Sequence, residues 1–182
     1  MAALSVRVLG EFSIDGVDTR TLADRKARLV LRWLALVRGR PVSAAALAEA
    51  LWGDAPPTRP ADQVAVLASR LRRSLGRDAI VHGDDGYRLR YDWLDLDELA
   101  VVLAEAERRH GEGNATGAVA ASRIALSLVR GQLPAPGSDA EWVVAEHAAV
   151  TRLVRRARQV AASAMLATGD WLDALELATA DA

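Results

Sequence analysis

The rhythm of apolar and polar positions along the chain changes several times, and each change predicts an element. Near the start, Val6, Val8, Phe12 and Ile14 alternate with polar neighbours around Gly10, and Asp15-Gly16 is a hairpin turn signal, so short strands are expected. Val17 to Leu22 reads as a third short strand. From Asp24 to about Arg38 the period becomes helical. Leu29, Val30, Trp33, Leu34 and Val37 recur on one face, Asp24 caps the start and Gly39 ends it. Ser43 caps a second, short helix through Leu51, with Leu47 and Leu51 as its core face. The run Trp52-Gly53-Asp54-Ala55-Pro56-Pro57 is a loop, because consecutive prolines lack N–H donors and hold their predecessors extended. Thr58 or Arg59 caps a third helix, with Pro60 in its first turn, that runs to Leu75 and stops at Gly76. Ala79 to His82 and Tyr87 to Arg90 flank the acidic turn Gly83-Asp84-Asp85-Gly86 and read as a hairpin.

From Asp95 the pattern is purely helical. Asp95 with Glu98 resembles a capping box, Leu99, Val102, Leu103 and Ala106 form a buried stripe, and Gly111 and Gly113 end the helix. A second helix covers about Thr116 to Val129, and Gly131 to Gly137 is a Pro/Gly loop. A long helix then runs from about Asp139 to Ala167, with Trp142, Val143, Val150, Leu153, Val154, Val160 and Met165 as core, and Trp171 opens another. Gly113-Asn114-x-x-Gly117-Ala118 and Gly169-Asp170-x-x-Asp173-Ala174 echo each other. A repeat array with an irregular insertion accounts for this, and so does chance similarity of two helix-loop-helix joints. The tryptophans read as core anchors: Trp33 and Trp52 where the first two helices meet, Trp142 and Trp171 at helix starts. The expected fold is α+β. A winged helix-turn-helix with an N-terminal β-sheet covers residues 1–92, and an all-α domain covers 95–182.

Charge sharpens this division. Residues 1–90 hold 15 basic and 10 acidic side chains, a net +5, whereas residues 91–182 hold 8 and 14, a net −6. A basic half joined to an acidic half suggests that the first meets a polyanion. With no cysteine, disulfides, thiolate metal sites and a cysteine nucleophile are excluded, which fits a reducing cytoplasm. No apolar run is long enough for a membrane helix, and the N-terminus lacks the features of a secretory signal. His82, His110 and His147 have no ligand-like spacing, and there is neither a glycine-rich phosphate loop nor a Gly-x-Ser-x-Gly elbow. No enzymatic activity, cofactor or metal is expected.

The informative stretch is Gln63 to Leu75. Val64, Leu67, Ala68, Leu71 and Leu75 fall on one face, leaving Gln63, Val66, Ser69, Arg70 and Arg73 outward and Arg72 at the flank. Double-stranded DNA calls for such a face. A helix fits the major groove, arginine there donates two hydrogen bonds to guanine, glutamine reads adenine, and flanking arginines hold phosphates. An ordinary amphipathic helix with a solvated basic face shows the same spacing, but the tight turn before it and the hairpin after it favour DNA. Arg88 on the returning strand is placed to enter a minor groove. Arg25, Lys26 and Arg28 lie in the first turn of the first helix, where free N–H groups attract phosphate; taken singly, each also reads as a solvated surface cation.

Several segments together resemble the Streptomyces antibiotic regulatory protein family: Val6-Arg7-Val8-Leu9-Gly10, Arg28 to Leu36, Pro41-Val42-Ser43, Ala50-Leu51-Trp52-Gly53-Asp54-x-Pro56-Pro57, Ser69-Arg70-Leu71-Arg72-Arg73-x-Leu75-Gly76 and Gly86-Tyr87-Arg88-Leu89. The resemblance implies a cytoplasmic, nucleoid-associated activator. It implies an OmpR/PhoB-type winged helix joined to a bacterial transcriptional activator domain of tetratricopeptide-like helices. It further implies binding to promoter direct repeats, a homodimer on DNA, and recruitment of RNA polymerase through its sigma factor. Arg59, Gln63, Ser69, Arg70, Arg72, Arg73, Arg88, Arg25 and Lys26 would then meet DNA. The loop Trp52, Gly53, Asp54, Pro56 and Pro57 would face polymerase. The family's activator domain runs further than this chain, which implies an incomplete set of its helices, and Val66 and Leu67 stand where many relatives carry polar or aromatic residues. The competing reading is a helical protein-interaction scaffold whose winged helix does not bind DNA.

Overall fold

A computed structural model of the chain describes residues 4–19 and 24–179. In chain order the elements are β1 (Ser5–Arg7), β2 (Ser13–Ile14), α1 (Arg25–Leu36), α2 (Ala44–Trp52), α3 (Pro60–Leu75), β3 (Ile80–Gly83), β4 (Gly86–Leu89), β5 (Trp93–Leu94), α4 (Asp95–Gly111), α5 (Ala115–Ser127), α6 (Glu141–Thr168) and α7 (Trp171–Thr179). The β1–β2 pair is antiparallel and sets Val6 opposite Ile14, both buried. Of the expected third strand, Val17 makes an isolated bridge to Ile14, and residues 20–22 lie outside the described residues. The third strand of the sheet is instead β5, running parallel to β1 in the order β2-β1-β5.

The helix starts follow local chemistry. Asp24 accepts from the Lys26 N–H at 2.9 Å and Ser43 Oγ accepts from the Ala46 N–H at 3.1 Å, so both expected caps form. At α3 the cap is Arg59, with no side-chain bond, and Pro60 takes the first turn. The second sheet is the hairpin β3–β4. Its outer edge is closed by Val42, which exchanges two backbone hydrogen bonds of 2.8 Å with Tyr87.

Helix α1 is more buried than a one-sided surface helix. Ala27, Val30, Leu31, Trp33, Leu34, Ala35 and Leu36 are all inaccessible. It is covered from both sides, by α3 and β4 on one and by α6 and the 131–137 loop on the other. Trp33 is fully buried, donates from Nε1 to the Pro136 carbonyl at 2.9 Å, and meets the edge of Trp142 with ring centroids 6.0 Å apart. Trp142 in turn donates to the Ala46 carbonyl at 3.3 Å. The hydrophobic core is therefore continuous from the sheets through α1 into α4 and the first half of α6, down to Ala157.

Asp95 corrects the sequence reading. Leu94 is the N-cap of α4, and the Asp95 side chain, 1% exposed, turns chiefly to the first sheet. Its two oxygens accept from the Val8 N–H at 2.8 and 2.9 Å and from the Leu9 N–H at 2.9 Å, with the Arg130 guanidinium 3.6 Å away. Burial pushes this carboxyl above its ordinary range, against the backbone donors and Arg130, which pull it down. Arg130 also pairs its backbone with Leu9, and Gly10 (φ +124) faces it so closely that a Cβ there would lie 2.6 Å from the Arg130 carbonyl oxygen.

The helices α4 to α7 pack consecutively, each against the next. The echoed joints are structurally alike. Gly113 and Gly169 both have positive φ, and the alanines that follow, Ala118 and Ala174, meet in one small cluster with Val119, Ala164 and Met165. The caps differ, since Asn114 accepts from the Gly117 N–H whereas Asp170 accepts from Thr168 Oγ1. Trp171 is 62% exposed, so it is not the core anchor expected of it; alanines occupy the crossing of α6 and α7.

Replacing Asp95 by Ala strands two buried N–H groups and is expected to lower the unfolding free energy by about 3 kcal/mol, measured by urea denaturation. A second expectation concerns Tyr91, whose hydroxyl donates to Asp97 Oδ2 at 2.7 Å while Arg38 donates to the other oxygen. Burial first, and then the bond to the carboxylate, push this phenol up from 10.0 to about 12. The fold favours the neutral form, so the stabilisation is complete below pH 10 and is lost as pH rises toward about 12. Tyr91→Phe should flatten the alkaline loss of stability across that interval in thermal melts recorded as a function of pH.

Candidate nucleic-acid interface

Helix α3 divides as its spacing demands. Val64, Leu67, Ala68 and Leu71 are buried against the rest of the winged helix, and Leu75 is half-buried. Gln63, Val66, Ser69, Arg70 and Arg73 are exposed. From Gln63 to Arg73 the outward edge spans roughly 15 Å, the scale of a major-groove contact. Val66, 43% exposed, places an apolar patch in the middle of this polar edge.

Most of the remaining residues are linked to α3 by a chain of contacts. Arg70 donates from Nη1 to Asp24 Oδ2 at 2.7 Å, which sets the start of α1 beside the outward edge of α3. One residue on, Arg25 is exposed, and Lys26 holds its ammonium 4.6 Å above the ring of Trp52 at the end of α2. Beyond Trp52 the loop turns outward: Gly53, Asp54 and Pro56 are exposed and Pro57 is half-buried. At the other end Arg72 is half-buried and donates from Nε to the Ile80 carbonyl at 2.7 Å, tying α3 to the first strand of the wing. On the second strand Arg88 points to solvent between the buried Tyr87 and Leu89. Two of the expected residues stand apart from these links. Arg59 lies at the N-terminus of α3, 3.8 Å from Asp62, and Arg88 lies on the strand paired with β3.

Two features escaped the sequence reading. Local spacing predicts Asp24 as a cap, and its bond to Arg70, 46 residues away, leaves no signal there. Arg72 was assigned to DNA, yet one of its nitrogens is engaged within the fold. Among the described residues no cluster of three or more His, Asp or Glu could hold a metal ion, and no helix is long and apolar enough to cross a membrane.

A winged helix with a cationic outward edge on its third helix, backed by stacked helical pairs, defines a class of regulator architecture. Regulatory protein AfsR of Streptomyces griseus is 32% identical over 144 residues, covering 75% of this chain and 15% of that protein. Its namesake in Streptomyces coelicolor is 34% identical over 146 residues, covering 76% and 15%. Transcriptional regulatory protein MoaR1 of Mycobacterium bovis is 31% identical over 139 residues, covering 71% and 45%. This chain belongs to the Streptomyces antibiotic regulatory protein family, and it spans less than half the length of each of these relatives. No protein-family model matches it. The solved structure of Mycobacterium tuberculosis EmbR in complex with a low-affinity phosphopeptide shares the fold, with a TM-score of 0.71 at 23% identity over 96% of this chain and 57% of that one.

The wing depends on Gly86. Its φ of +120 is a glycine conformation, and a Cβ there would collide with the carbonyl of Val42. Gly86→Ala is expected to lower stability by about 3 kcal/mol, read as a shifted denaturant midpoint.

Proposed function

We propose that this chain is the promoter-binding part of a transcriptional activator, with α3 entering the major groove of double-stranded DNA. The observation that carries this reading is the outward edge of α3, where Gln63, Val66, Ser69, Arg70 and Arg73 are exposed together while the opposite face is packed. In that groove Arg70 donates to guanine, Gln63 reads adenine and Val66 meets a thymine methyl. Arg73, Arg59 and Arg25 lie at the flanks of this edge and take phosphates. Arg72 keeps its bond to Ile80 and offers its remaining N–H groups to the backbone. Arg88 enters the adjacent minor groove.

The names of the curated relatives, regulatory and transcriptional regulatory proteins, support the same reading. Sites arranged as direct repeats, two copies of the chain side by side on them, and contact between the exposed loop Gly53 to Pro56 and the RNA polymerase sigma factor complete the proposal. The exposure of that loop, on the turn before α3, is what supports its role. A soluble cytoplasmic protein at the nucleoid, with no catalytic role, follows from this function.

Fluorescence anisotropy with duplexes recovered from a randomised library tests the assignment. Binding should weaken steeply with salt. Arg70→Ala should cost about 1–3 kcal/mol on the selected duplex and relax its base preference, while Arg73→Ala should weaken all duplexes alike and reduce the salt slope by about 1. Salt-independent binding, or no binding to any duplex, would return the chain to the scaffold reading.

A further inference from the structure

Asp24 uses both of its oxygens. Oδ1 accepts from the Lys26 N–H at 2.9 Å and caps α1, and Oδ2 accepts from Arg70 Nη1 at 2.7 Å. The cap ties the carboxylate to the start of a helix whose core face is packed. Arg70 is half exposed, with its side chain at 50%. A long arginine on a solvated helix face ordinarily samples many rotamers, and fixing it on binding costs conformational entropy. Here one end of the guanidinium is already pinned to a rigid point.

We propose that Asp24 is a positioning residue that sets the base preference of this protein by holding the Arg70 guanidinium in one orientation. The inference rests on the reading of α3 as the helix that enters the major groove. A guanidinium has five donors in a planar fork. Asp24 engages Nη1, and among the described residues no other bond reaches the guanidinium, so the edge formed by Nε and Nη2 stays free. That edge matches the two acceptors of guanine, O6 and N7. A fork held in plane rewards one base step and disfavours its neighbours, which is a gain in discrimination rather than in bare affinity.

Affinity alone is a poor readout, because removing an acidic group near DNA strengthens binding to every sequence. Base preference separates the effects. Asp24→Asn keeps an oxygen to cap Lys26, since asparagine is as good a cap as aspartate, and it loses the charge that holds Arg70. Asp24→Ser is a second capping variant, should the first fail to fold. Selection from a duplex library with randomised central base pairs, read by sequencing, is run with the full chain, with Asp24→Asn, with Arg70→Ala and with the double variant. The unaltered chain should enrich guanine at one position. Asp24→Asn should reduce that enrichment about fivefold, and the double variant should lose no more than Arg70→Ala alone, because the two residues act as one unit. Melting temperatures of the capped variants should stay within a few degrees of the unaltered chain.

If Asp24→Asn and Asp24→Ser select the same guanine as strongly as the unaltered chain, the inference falls while the DNA reading stands. Tighter binding with unaltered preference also overturns it, and would show Asp24 to restrain Arg70 rather than aim it. If the unaltered chain enriches no sequence at all, the groove reading fails and takes this inference with it.

Discussion

A carboxylate taken out of water is unfavourable unless its oxygens meet donors, and Asp95 meets them in the backbone of another element. The N–H groups of Val8 and Leu9, just past the central strand β1, converge on it from the first sheet, while Arg130 approaches from the end of α5. One side chain thus satisfies two buried donors of the winged helix from the first turn of the helical domain. The parallel pairing of β5 with β1 immediately before it leaves α4 little freedom to leave in another direction. The close approach of Gly10 to Arg130 fixes the same junction a third time. The angle between the two parts of the molecule is therefore held by backbone hydrogen bonds rather than by a flexible linker.

Helix α1 carries the consequence to the candidate interface. Because it is covered on both sides, its position is set jointly by the winged helix and by α6. Trp33 shows how: its ring lies in the shared core while its N–H reaches a carbonyl of the proline loop, and Arg32 donates to the carbonyls of Pro134 and Ala135 in the same loop. The N-terminus of that same helix presents Asp24 to Arg70. Helix α1 therefore packs at once against α6 and against α3, the helix of the candidate interface. The 28-residue α6, about 42 Å long, extends beyond this contact. Its first half lies in the main core and its second half in the alanine cluster with α5 and α7.

How much of this was legible follows from the range of each interaction. Element types came through because they depend on short periods and local punctuation: the double proline before α3, glycine after α3, and aspartate and serine caps at α1 and α2. The buried and exposed faces of α3 came through for the same reason. What did not come through is long-range. Two residues at Trp93–Leu94 are too short to show a strand period, and their pairing with β1 is a tertiary event. Asp95 reads as a cap because aspartate before an apolar run usually is one; only the arrival of Val8 and Leu9 from elsewhere makes it a buried acceptor. Trp171 reads as core because tryptophan usually is, yet Ala164, Met165 and Ala174 fill the crossing of α6 and α7 and leave it 62% exposed. The second face of α1 is hidden too, since helical spacing places its apolar residues on one face while α3, β4 and α6 cover it from two sides.

The same distinction explains why the cationic edge is made of arginine. Arg70 and Arg72 each have an intramolecular partner, Asp24 and the Ile80 carbonyl. An ammonium is a compact, strongly hydrated point charge on a flexible stem, so a lysine paired inside the fold would present no oriented donor to a ligand. A guanidinium spreads five donors over a rigid plane, so one of them can be tied to the protein while the others keep a fixed direction outward. Each of these bonds engages one guanidinium nitrogen and leaves others in the same plane. They tie the side chain of Arg70 to the start of α1 and that of Arg72 to β3.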